Sequence, residues 1–225
     1  MVKDNTLKGL IIYAFYSARG SIMMMGGMFL FIGIAAIVTG HPSALGAFVG
    51  VSVVALPAVT MMSTPKDSAS KWTKFRGALP VKRKSIVTSL YVSHIIISAI
   101  SILFTVTILA VYYLVHAGIL VHAGIMIESG LLVFTPILVG APLLSCSLFY
   151  PLILTIGEGK EEAISIIAML GGIALAGGVW WASGRLWQVI GYSDNIALAL
   201  SYTVPIIVFA LSYQICVNIY RKKDL

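Results

Sequence analysis

The residues of this chain that could do chemistry are concentrated in one polar stretch, residues 65–85. This stretch holds seven of the fifteen Lys and Arg residues, although the chain around it is strongly apolar. Trp72, Phe75 and Leu79 recur in it at spacings of three and four, which gives a short helix one apolar face. Such a face can fill a groove on a partner protein. The alternative is that it anchors the stretch at lipid headgroups. We expect docking.

Other residue types that often form active sites lack the spacing that their chemistry requires. The string from Gly157 to Glu161 lacks the first glycine and the final Ser or Thr of a phosphate-binding loop. The four histidines never fall at the His-Glu-x-x-His spacing of a zinc protease. No Asp, Glu, Lys or Arg lies deep in an apolar run, where proton and ion relays place them. We therefore expect a non-catalytic chain without a metal, bound cofactor or ATP site, whose energy comes from elsewhere.

The composition places the chain in a lipid bilayer. Hydrophobic residues make up 59% and charged residues only 10%, whereas soluble domains carry roughly 25% charged residues. The mean hydropathy is +1.00. The net charge of +7 is explained by basic residues in cytoplasmic loops, so no nucleic-acid partner is expected. Cys146 and Cys216 lie in apolar runs and are interpreted as buried thiols.

Six apolar segments are long enough to cross a membrane as helices, which needs about 20 residues each. Helices are expected because every backbone amide in hydrocarbon must be paired internally. The chain is thus predicted to be an all-α membrane protein with one transmembrane domain over residues 1–225. The six predicted spans are Ile22–Thr39, Leu45–Met62, Ile86–Val115, Gly130–Ile156, Ala163–Ala182 and Ile196–Ile219.

The distribution of basic residues predicts the orientation. With both termini in the cytoplasm, fourteen of the fifteen Lys and Arg residues are cytoplasmic and only Arg185 is outside. Residues 65–85 and 157–162 then form two cytoplasmic loops, and residues 184–195 form either an outer loop or a re-entrant helix. Apolar positions in residues 1–20 recur at helical spacing among basic residues, which predicts an amphipathic helix at the inner membrane surface. The alternative is an extension of the first span.

Two further patterns concern how the spans pack. Pro136, Pro142 and Pro151 predict bends or breaks in the fourth span, which is also longer than a perpendicular crossing requires. In the fifth span, the small residues Ala168, Gly172 and Ala176 lie on one stripe. Small residues let helix backbones approach closely, within the bundle or across a dimer.

The string from Trp72 to Val87, with its Leu79-Pro80-Val81 turn and basic residues, resembles the first cytoplasmic loop of ABC-2 type transporter permeases. The segment from Pro151 to Glu162 and the basic tail Arg221–Lys223 are similar to corresponding parts of that family. The resemblance covers all six spans, and it extends to the membrane subunits of phenol-soluble modulin exporters.

The resemblance implies the membrane subunit of an exporter in the bacterial plasma membrane. A coupling helix between spans 2 and 3 would bind a separate ABC ATPase subunit, which carries the ATP and Mg, and a second permease would complete the pore. A hydrophobic or amphipathic substrate is expected, including peptide toxins or antimicrobial peptides. The alternative is a non-transporting immunity or regulatory protein. The residues implied in ATPase docking are Lys71, Trp72, Phe75, Arg76, Leu79, Pro80, Gly157, Glu158 and Glu161.

Overall fold

Six long helices make up the protein in a computed structural model that describes residues 3–69, 82–122, 127–156, 160–190 and 194–222. The helices are α1 (Lys3–Thr39), α2 (Pro42–Ala69), α3 (Arg83–His122), α4 (Ile127–Ile156), α5 (Glu161–Ile190) and α6 (Asp194–Lys222). All six are long and apolar enough to cross a membrane. The prediction of an all-helical chain with six potential membrane spans is therefore confirmed, while the cytoplasmic placement of the termini stays a prediction.

Most helices are longer than the predicted spans, and three features of α1, α4 and α5 bear on the sequence predictions. Helix α1 runs unbroken from Lys3 to Thr39. An interfacial position for residues 1–20 and the alternative, an extension of the first span, both stay predictions. Helix α4 continues through its three prolines without a break. Residues 184–190 continue α5. An outer loop or a re-entrant helix was expected over residues 184–195. The helix continues past Gly184 because a single glycine does not by itself end a helix.

The helices form two groups of three, with α1, α2 and α3 in one group and α4, α5 and α6 in the other. Contacts of α2 with α4 and α5, and of α3 with α4 and α6, join the groups. One apolar cluster lies mainly within the first group, around Phe29, Phe48 and Tyr112. A second joins both groups around Met61 and Phe149. The boundary between the groups is therefore part of the core.

The turn between α1 and α2 is attached to the far end of α3. Gly40 follows the last residue of α1 with a φ of 65°, a left-handed conformation that glycine adopts without strain. Its carbonyl oxygen accepts a hydrogen bond from the Tyr112 hydroxyl at 2.8 Å. A Cβ at this position would lie 2.8 Å from Nε2 of His116. Only glycine therefore suits both the backbone and the neighbouring ring.

Helices α4 and α5 approach each other closely at Gly172. A Cβ built there would lie 2.6 Å from the backbone nitrogen of Ser145 and 2.7 Å from its Cα. Ala168 and Ala176, one turn before and after, are 0% and 4% exposed. The stripe of small residues thus packs within the bundle, against α4.

We predict that Gly172→Ala destabilises the protein by about 1–3 kcal/mol, because the added methyl group meets backbone atoms that cannot rotate away. Thermal unfolding in detergent micelles measures this effect. Gly178→Ala is the matched control, since Gly178 lies on the same helix with nothing within 4 Å of its Cβ position. Equal stability of the two variants would contradict the close approach of α4 and α5.

Candidate functional site: a polar seam along α3

Helix α3 presents a row of polar side chains to three other helices. We call Thr88, Tyr91, His94, Ser101 and Thr105 the α3 seam. They are separated by three, four or seven residues, so they lie along one side of the helix. Four of the five are buried, and Thr88 is half-buried. Hydrogen bonds between the side chains of membrane helices help to hold the helices together, so the seam favours particular partners for α3.

One end of the seam joins α3 to α2. Oγ of Ser52 and Oγ1 of Thr105 lie 3.0 Å apart, and both side chains are fully buried. The Ser101 hydroxyl donates to the backbone carbonyl of Ser52 at 2.9 Å. These short side chains allow the two helices to hydrogen-bond through side chain and backbone at the same level. This part of the seam lies entirely within the first group of helices.

The middle of the seam is His94, which is fully buried and contacts two other helices. Its Nε2 lies 3.1 Å from the carbonyl oxygen of Pro142 on α4. Because a carbonyl only accepts, Nε2 carries a proton in this contact. Its Nδ1 lies 2.8 Å from Oγ1 of Thr60 on α2, and that hydroxyl is also 2.6 Å from the carbonyl oxygen of Pro57. One imidazole thus joins α2, α3 and α4 beside a proline in each partner helix.

Tyr91 extends the seam to α6 and, through it, to α4. Its hydroxyl lies 2.7 Å from Oγ of Ser212 and 3.2 Å from Sγ of Cys216. The Ser212 hydroxyl donates to the carbonyl oxygen of Ser147 at 2.8 Å. Since Ser212 has only one proton to donate, Tyr91 donates to Ser212. The bonds therefore run in one direction, from α3 to α6 to α4.

The first turn of α3 is bound to the last turn of α6. Nη1 of Arg83 donates to the carbonyl oxygen of Arg221 at 3.1 Å and lies 3.4 Å from that of Tyr220. The last carbonyls of a helix have no partner within the helix, so a guanidinium from another helix stabilises them. One turn further along, Thr88 Oγ1 and Tyr213 Oη lie 2.9 Å apart. We call the Arg83 contact the α6 cap.

The predicted docking residues are only partly within the described structure. Glu161 is the first residue of α5 and is 8% exposed. The others lie outside the described residues: Lys71, Trp72, Phe75, Arg76, Leu79, Pro80, Gly157 and Glu158. Their part in docking stays a prediction. Helix α2 ends at Ala69 and helix α3 begins at Arg83, so the two helices flank the predicted docking residues from Lys71 to Pro80 in the sequence.

The α3 seam was not predicted from the sequence. The signal was present, since polar residues recur every three or four positions in an otherwise apolar helix. Side chains such as Ser and Thr are common in membrane helices, however, and their spacing does not identify the helix that they face. Among the described residues no group of three or more His, Cys, Asp or Glu could hold a metal ion, and Cys146 and Cys216 are buried free thiols.

We predict that His94→Leu and Thr60→Val each lower the stability of the bundle by about 1–3 kcal/mol, because each leaves a buried polar group without its partner. The double variant should lose less than the sum of the two, since both single changes remove the same hydrogen bond. Chemical unfolding in micelles measures all three variants.

Thr107→Val is the matched control for this cycle. Thr107 lies on the exposed side of α3, and its hydroxyl donates to the carbonyl oxygen of Leu103 in the same helix. Its replacement should change stability little. Strictly additive effects of the His94 and Thr60 changes would show that the two side chains do not interact.

Comparison with known proteins gives one match. The family model described as ABC-2 family transporter protein matches residues 9–221. Neither a curated protein nor a solved structure matches the chain. The matched region begins within α1 and ends in the last turn of α6, so it includes all six helices. The chain therefore belongs to the ABC-2 family of transporter membrane proteins.

Proposed function

We propose that this permease is the membrane subunit of an ATP-driven exporter that acts with a second permease. Membership of the ABC-2 family implies a multi-pass membrane protein with an ABC ATPase partner, in which the permease itself is generally non-catalytic. The proposal adds the direction of transport, the pairing of two permeases and a hydrophobic or amphipathic substrate. Peptide toxins and antimicrobial peptides are the substrates of this class that we favour. The bacterial plasma membrane is the proposed location.

The observation that carries the proposal is the position of the α6 cap. The stretch predicted to bind the ATPase leads directly into Arg83, which donates to the end of α6. A force applied to that stretch would therefore act on α3 and α6 together. Eight residues further along α3, Tyr91 connects to Ser212. Movement at the predicted docking stretch thus has a direct route into the second group of helices.

His94 provides the route to the remaining helices. It binds Thr60 on α2 and the Pro142 carbonyl on α4, so a shift of α3 must carry these helices along or break the contacts. Hydrogen bonds between membrane helices contribute about 0.6 kcal/mol each on average. A handful of them amounts to a few kcal/mol, the range over which binding to one state shifts a conformational equilibrium. The seam is thus strong enough to couple the helices and weak enough to rearrange.

The surface of α1 supports an amphipathic substrate. Met23, Met24, Met28 and Phe31 are 66%, 77%, 46% and 74% exposed in the single chain. Methionine side chains are flexible and polarizable, so they adapt to partners of different shape. An amphipathic helix could pack its apolar face on this surface while its polar face remains turned away. The same surface also suits contact with lipid.

We predict that replacing Trp72, Phe75 and Leu79 together with Ser separates the permease from its ATPase subunit, because the apolar docking face is removed. Co-purification of the two subunits measures the effect. Trp181→Ser is the control, because Trp181 is 61% exposed and lies towards the opposite end of α5 from Glu161. Undiminished recovery of the ATPase with the triple variant would rule out this docking face.

The substrate class is tested by transport in inside-out membrane vesicles. We predict that vesicles with both subunits accumulate a fluorescent amphipathic helical peptide when ATP is present, and that a polar peptide of equal length and charge is not accumulated. Vesicles with an ATPase subunit that cannot hydrolyse ATP serve as the control. Accumulation only in right-side-out vesicles would reverse the proposed direction, and no accumulation of either peptide would exclude this substrate class.

A further inference from the structure

The α6 cap gathers positive charge at one end of the bundle. Arg83 binds the last turn of α6, so Lys82 and Lys84, which flank it in the chain, lie at the same end of the bundle as Arg221 and Lys222. All four of these neighbouring side chains are exposed. We call Lys82, Lys84, Arg221 and Lys222 the basic cluster. Arg83 and Arg221 are 138 positions apart in sequence, and their hydrogen bond brings the two helix ends that carry the cluster together.

A cluster of positive charges is stabilised by a negatively charged partner. Like charges held close together repel one another, and the repulsion is relieved when an anion binds between them. Among the carboxylates whose exposure the structure describes, Glu161 is buried and Glu162 is exposed, and both belong to the first turn of α5. The N-terminal end of α3 and the C-terminal end of α6 add partial charges of opposite sign that offset each other, so the side-chain charges determine the field. The field at this end of α3 and α6 therefore favours an anion.

The position of the basic cluster relative to the apolar spans indicates which kind of anion would bind to it. The apolar segments of α3 and α6 are Arg83–His116 and Ile196–Lys222, so the cluster lies at the ends of both segments. Basic residues at the end of a membrane span are expected at the level of the headgroups. Towards the hydrocarbon, α6 exposes Leu211 and Ile215, at 57% and 50%. An anionic phospholipid matches this surface, because its negative headgroup lies directly above its apolar chains. Arginine and lysine both bind phosphate oxygens well.

From this geometry we infer that the basic cluster binds the headgroup of an anionic phospholipid, with the acyl chains along Leu211 and Ile215 of α6. The phosphate would lie between the first turn of α3 and the last turn of α6. A bound lipid would then reinforce the α6 cap, because it neutralises the repulsion between the residues that Arg83 brings together. The site depends on this chain alone and does not require the ATPase or a transport substrate.

The test measures lipid retention by the full-length permease with its ATPase subunit. The complex is placed in nanodiscs of phosphatidylcholine and phosphatidylglycerol, and retained lipid is identified by native mass spectrometry after extraction. We expect the unmodified complex to retain phosphatidylglycerol preferentially. Replacing all four cluster residues with Gln should reduce that preference by about fivefold for each charge removed, at low ionic strength.

Two controls separate the cluster from general effects of charge. Exchanging Lys for Arg and Arg for Lys at the four positions retains the charge and should retain the preference. The double change Lys8→Gln and Arg19→Gln removes exposed charges from α1, outside the cluster, and should leave the preference unchanged. If the fourfold variant does not fold, Lys84→Gln with Lys222→Gln removes one charge from each helix and should show a smaller loss in the same direction.

Several results would overturn the inference. One is an unchanged preference for phosphatidylglycerol in both the fourfold and the double cluster variants. Another is an equal loss in the Lys8 and Arg19 control, which would show that total charge and not this site attracts the lipid. A third is loss of the ATPase subunit with lipid retention unaltered, which would assign the cluster to an acidic protein surface. Because lipid retention and ATPase recovery are read separately, failure here is distinguishable from failure of the proposed function.

Discussion

The structure depends on one kind of interaction, which is the hydrogen bonding of polar side chains between membrane helices. His94 shows this most clearly, since it is fully buried and has partners on both ring nitrogens. Pairing it requires α2 and α4 to approach α3 at the same level. The arrangement of three helices is therefore determined at a single side chain, and apolar packing around it completes the core.

The seam also explains how two groups of helices can behave as one bundle. Within the first group, Ser52, Ser101 and Thr105 connect α2 and α3. Between the groups, His94, Tyr91 and Arg83 connect α3 to α4 and α6. Apolar contacts alone would allow the groups to slide past one another, because lipid tails are as apolar as the side chains. Directional hydrogen bonds restrict the groups to a few relative positions.

Much of the fold could be predicted from the sequence, because length and hydropathy determine which segments can cross a bilayer. Thr39 and Ile156 were predicted as the last residues of their helices, and both are. The continuity of α1 and the extension of α5 were less accessible, since polar or aromatic residues at a membrane boundary are compatible with a helix as well as with a turn.

The partners of each helix could not be predicted from the sequence. Helices α1, α5 and α6 are apolar on nearly all sides, so periodicity does not indicate which side faces the core. The contact between Gly172 and Ser145 involves the stripe of small residues on α5 and a matching position on α4. The stripe could be recognised in the sequence, but the matching position on α4 could not. His94 was recognisable as a polar residue in a span, but its partners Thr60 and Pro142 lie on other helices.

The long separation between Arg83 and the carbonyls that it stabilises has a consequence for biogenesis. When α3 leaves the ribosome, α2 has already been made, so the contacts of Ser52 with Ser101 and Thr105 can form at once. Tyr91 and Arg83 have to wait for α6, the last of the described helices to be synthesised. Until then the Tyr91 hydroxyl lacks its partners Ser212 and Cys216. The hydrogen bonds between α3 and α6 therefore form only after α6 has been made.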